Sequence, residues 1–168
     1  MNAYVTCASE SESSLIIGDL ERKTCRKIHV PGGVKCFEFC RRPSFLVTGG
    51  RDKIVYFFWK SNPRLIPFSR LWNPYVLSKP AGSLYGHAAA IVKIIINHEE
   101  SHIISLSEDK VIKIWNARNL TCLQSVIDHV PHRPDNIISS IFYDCQNRQL
   151  VTGSDKLETW PVSSILHA

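Results

Sequence analysis

Runs of alternating apolar and polar residues, each bounded by turn formers, recur from residues 4–9 to the neighbourhood of Trp160. The clearest stretch predicts four consecutive strands over residues 91–97, 102–107, 111–116 and 122–127, with turns at 98–101, 108–110 and 117–120. No segment has the 3.6-residue apolar spacing of a long amphipathic helix, so the chain reads as all-β.

The runs repeat. Residues 46–55 read LVTGGRDKIV, residues 102–116 HIISLSEDKVIKIWN and residues 150–160 LVTGSDKLETW. Each has an apolar run with Ser or Thr, then Asp-Lys, then a second run. Trp115 stands six residues after Asp109, but Trp72 stands 20 after Asp52; removing residues 56–69 restores six, which marks that segment as an insertion. With it removed, the Asp-to-Asp distances become 43 and 46 residues. A weaker unit at residues 15–25 overlays residues 112–122, with Ile17 on Ile114 and Asp19 on Asn116. Four antiparallel strands in a period of about 43 residues are the pattern of a β-propeller blade.

Residues 82–129 resemble a complete repeat of the WD (WD40) family. The segment opens on Gly86-His87 and closes its third strand on Trp115-Asn116, where the family has Trp-Asp. The resemblance implies a partial WD40-type propeller of about three to four four-stranded antiparallel blades: strands two to four of one blade, two whole blades and three strands of a last. The corresponding divisions are blade remnants at 1–30, a blade at 31–86 with the insert 56–69, a blade at 87–129 and a partial blade at 130–162. It implies a buried hydrogen-bonded tetrad of His87, Ser105 or Ser107, Asp109 and Trp115. Buried carboxylates and indoles need such partners. Partial tetrads fall on Thr48, Asp52 and Trp72, with Val30 at the His position, and on Thr152, Asp155 and Trp160, with His129 or His132 as the histidine. The first unit has Glu12 and Gly18 in place of Asp and Trp.

Three readings of residues 56–69 stay open. They interrupt the blade as an alternative exon or retained non-coding sequence; or residues 53–60 are themselves the third strand, with Trp59 near the tetrad and 61–70 as a loop; or they form a dedicated binding loop. Pro63 and Pro67 exclude a central strand over the later part.

Composition adds limits. The 168 residues are 44% hydrophobic and 21% charged, which excludes a disordered tail. The net charge of +5 is mild, and no apolar run approaches the ~18 residues of a membrane span. Residues 1–10 carry no secretory signal, so a cytoplasmic location with reduced cysteines and an idle sequon at Asn119 is expected. Some larger relatives work in cilia, but no residue argues for that address.

Ser105, His87 and Asp109 have the residue types of a hydrolase triad, yet no G-x-S-x-G elbow is present and the resemblance places them inside a blade, so no enzyme is expected. No Walker, dinucleotide, H-E-x-x-H or EF-hand string occurs, and no cofactor or metal is expected. Cys36 and Cys40 lie ~13 Å apart along a strand at about 3.3 Å per residue, too far to share a zinc or a disulfide. Arg22, Lys23, Arg41 and Arg42 fall on one rim as a candidate partner surface, diluted by Glu21, Glu99 and Glu100. The expected function is a non-catalytic WD-repeat scaffold that binds other proteins and self-associates through open blade faces, with nucleic-acid or anionic-partner binding as the alternative.

Overall fold

The computed structural model describes residues 3–7, 14–19, 23–41, 44–59, 80–127, 138–154 and 156–162. They form fourteen strands and, among the described residues, no helix. The strands are β1 (Ala3–Cys7), β2 (Ser14–Asp19), β3 (Thr24–His29), β4 (Cys36–Arg41), β5 (Ser44–Gly49), β6 (Val55–Trp59), β7 (Gly82–Leu84), β8 (Ile91–Asn97), β9 (His102–Ser107), β10 (Val111–Asn116), β11 (Cys122–Ile127), β12 (Ser140–Asp144), β13 (Gln149–Gly153) and β14 (Leu157–Pro161). Four antiparallel meanders result: β1-β2-β3, β4-β5-β6-β7, β8-β9-β10-β11 and β12-β13-β14. They are the blades of a partial propeller, two of three strands and two of four.

Alternation places the core between the sheets. Along β6, Val55 and Phe57 point to the third sheet, where they join Ile91, Ile94, Ile103 and Trp115. Tyr56 and Phe58 point the other way, onto Leu15, Ile28 and Val30. Along β9 and β10, Ile104, Leu106, Ile112 and Ile114 face the fourth sheet and meet Tyr143, Leu150 and Val162. Central strands are therefore buried on both faces, so they read as near-continuous apolar runs. Alternation in β4 sends Cys36 and Cys40 towards the third sheet and Phe37 towards the first. The second and third sheets approach closely at Gly49, where an added Cβ would stand 2.5 Å from Ile91 Cγ2.

Val55–Trp59 pairs along its whole length with Phe45–Gly49 of β5. Residues 56–59 thus belong to the second sheet and are not an insertion into it. The aromatic side chains of Tyr56, Phe57 and Phe58 fill both layers, so β6 needs no later segment to complete it.

Chain direction sorts the turns onto two rims. Lys23, the end of β4 and the turns at 98–101, 117–121 and 145–148 share one. The turns at 50–54, 85–90 and 108–110, with Ser154 and Lys156, share the other. On the first rim Glu100 joins two blades: its carboxylate accepts from Tyr143 Oη at 3.3 Å and lies 3.6 Å from Arg148 Nε. Among the described residues no helix is long and apolar enough to cross a membrane.

Candidate functional site

A buried polar group sits inside the third sheet. Trp115, near the end of β10, donates Nε1–H to Ser105 Oγ of β9 at 2.8 Å. Ser105 Oγ is 2.7 Å from His87 Nε2, and His87 Nδ1 is 2.9 Å from Ser107 Oγ. Ser107 Oγ donates to Asp109 Oδ1 at 2.5 Å. One orientation leaves every group partnered: Trp115 to Ser105, Ser105 to Nε2, Nδ1–H to Ser107, Ser107 to Asp109. His87 is then a neutral imidazole that ties the turn before β8 to both serines of β9.

Burial agrees with that protonation state. His87 is 7% exposed, and burial, with Lys113 as the next contributor, lowers its pKa from 6.5 to about 4 against the opposing pull of Asp109. The folded chain therefore binds fewer protons than the unfolded chain between pH 6.5 and 4. Stability should be complete above about pH 6.5 and fall as the pH drops towards 4, by on the order of 2 kcal/mol after solvent screening. Urea midpoints across that window measure the loss, and His87→Gln should flatten most of the slope. His102, also lowered chiefly by burial, acts in the same direction.

Asp109 differs from the expected buried carboxylate. It is exposed and holds the network from outside. Ser107 has a second acceptor in the Val111 carbonyl at 3.0 Å, so the hydroxyl keeps a partner if Asp109 is lost.

The second sheet has a different solution. Six residues after Asp52 stands Phe58, as Trp115 stands six after Asp109, and Val30 takes the place of His87. Neither supplies a hydrogen bond, and the Thr48 hydroxyl, at the place of Ser105, is buried without a partner. Asp52 is held instead by Tyr56 Oη at 2.6 Å. It also fills the space over Gly32, whose added Cβ would be 2.0 Å from Asp52 Cγ and whose φ of 71° suits glycine. Trp72 lies outside the described residues; Phe58 corrects it as the counterpart of Trp115. Thr48→Val should raise stability by about 1 kcal/mol, because it exchanges an unsatisfied hydroxyl for a methyl of the same shape. A lower urea midpoint would contradict that account.

In the fourth sheet Trp160 Nε1 donates to Thr152 Oγ1 at 3.0 Å. Asp155, His129 and His132 lie outside the described residues. Of the basic rim, Lys23 is exposed and Arg41 ends β4, while Arg22 and Arg42 lie outside. The same rim carries Glu99 and Glu100.

The family model for the WD domain, G-beta repeat, matches residues 22–58 and 78–116. The first match runs over β3, β4, β5 and most of β6, and the second over β7 to β10, so each covers the last strand of one sheet and three strands of the next. The relatives carry the same repeat in their names. A "WD repeat-containing protein on Y chromosome" of Anopheles gambiae is 28% identical over 166 residues, 92% of this chain and 14% of that protein. The protein of the same name in Drosophila virilis is 30% identical over 130 residues, 76% of this chain and 10% of that protein.

The chain belongs to the WD-repeat family.

It spans about a tenth to a seventh of the length of those relatives. The first family match ends at Phe58, one residue before the end of β6, and the second begins at residue 78. Sequence spacing missed Phe58 because it sought an indole. The signal was there: the count of six from Asp52 lands on an aromatic without any deletion.

Proposed function

We propose that the chain is a non-catalytic WD-repeat scaffold that binds other proteins through the turns on its rims, while the His87 to Trp115 network holds the blade. The observation that carries this reading is the state of Ser105. It is 0% exposed, and its hydroxyl is committed to Trp115 and His87. A nucleophile must reach substrate beside an oxyanion hole, and this one faces only its own sheet. Self-association is part of the reading. The face of the fourth sheet turned away from the third exposes Phe142 (66%) and Leu157 (80%), a surface suited to stacking on another sheet.

The test is capture of partners from extract on the immobilised chain, repeated with charge-reversal variants on each rim whose thermal stability equals that of the parent. Loss of a bound protein with one rim's variants, and retention with Ser105→Ala in its folded fraction, supports the scaffold. Hydrolytic activity that Ser105→Ala abolishes without unfolding would overturn it.

A further inference from the structure

The turns from the second to the third strand of the last three sheets each carry a lysine: Lys53, Lys110 and Lys156. All three lie on the rim opposite Lys23. Lys53 and Lys110 have φ of 68° and 64°, in the left-handed region where glycine would sit without strain. Lys23 and Arg148 on the other rim share that backbone geometry, so what sets these lysines apart is the same turn position on successive blades. The neighbouring carboxylates have other partners. Asp52 accepts from Tyr56, Asp109 accepts from Ser107, and Glu108 pairs with Lys35 from the entry to β4. Among the described residues no ion pair holds the ammonium groups of Lys53, Lys110 or Lys156. Packing between the sheets fixes the three turns relative to one another.

We infer that this rim docks an acidic segment of a partner protein, whose carboxylates meet Lys53, Lys110 and Lys156 on successive blades. The inference rests on the scaffold reading and names the partner's chemistry. A protein segment fits better than nucleic acid because Asp52, Glu108 and Asp109 alternate with the lysines. A duplex, with one charge per about 1.7 Å, would press phosphates against those carboxylates as well. A peptide can space its carboxylates to avoid them. Charge complementarity of this kind sets approach and register.

Fluorescence anisotropy of a labelled deca-glutamate peptide against the full chain tests this directly. Saturable binding should weaken about tenfold between roughly 50 and 200 mM salt. It should weaken at least about tenfold further in K53E/K110E/K156E, with K53Q/K110Q/K156Q intermediate, and stay unchanged in K23E/R118E on the other rim. Absence of binding, equal loss from either rim, or equally tight binding of a ten-nucleotide single-stranded DNA would overturn the inference. Partner capture from extract that survives the triple variant would remove this surface and leave the scaffold standing; failure of capture with every variant and parent would remove the scaffold itself.

Discussion

Phe58→Ala is expected to destabilise the chain by about 3–5 kcal/mol, a large part of the 5–15 kcal/mol that holds a typical domain. The ring is 2% exposed and packs in one layer with Leu15, Ile28, Val30, Leu46 and Tyr56. Among the described residues this layer has no counterpart of the His87 to Trp115 network, since Val30 and Phe58 stand in those places and Thr48 is left unpartnered; its polar brace is the Tyr56–Asp52 hydrogen bond at the edge. Truncation therefore removes a buried ring from the apolar layer between the first and second sheets and leaves a cavity there. Urea unfolding of Phe58→Ala beside Trp72→Ala measures the difference. A larger loss for Trp72→Ala would return the third strand of this blade to the residues after 69 and make residues 56–69 an insertion after all.

That comparison also marks where sequence reasoning reached its limit. In the third sheet, strand positions were legible because β8 to β11 are separated by short turns with strong formers, and each apolar run has the length of one strand. The period of about 43 residues carried the reading to the neighbouring sheets, whose strands are more weakly patterned. The second sheet misled because the search followed a residue type, Trp, rather than a place. Burial on both faces of β6 accepts any large apolar side chain at that place, and Phe58 fills it. The environment of Asp109 was equally hidden. Sequence alone gives the residue types of a network but not its depth, and here the deep members are Ser105, Ser107, His87 and Trp115, with Asp109 at the surface. Glu100 as a link between blades carried no signal, since its partners Tyr143 and Arg148 are more than 40 residues away.

Ser105→Ala should cost about 2–4 kcal/mol, because one substitution leaves two buried groups without partners, the Trp115 Nε1–H and His87 Nε2. For a chain of this size that corresponds to a fall in Tm of roughly 4–16 °C. Asp109→Ala should cost only about 1 kcal/mol, since Ser107 can turn to the Val111 carbonyl, and Lys110→Ala should cost less still. Trp115→Phe separates hydrogen bonding from bulk, because it removes the donor and keeps most of the ring. Once that donor is gone, Ser105→Ala orphans one group fewer, so the double variant should be milder than the sum of the singles by at least about 0.5 kcal/mol. Thermal unfolding of the four proteins closes the cycle. Strict additivity would mean that Trp115 acts through packing alone, as Phe58 does at the same place in the second sheet.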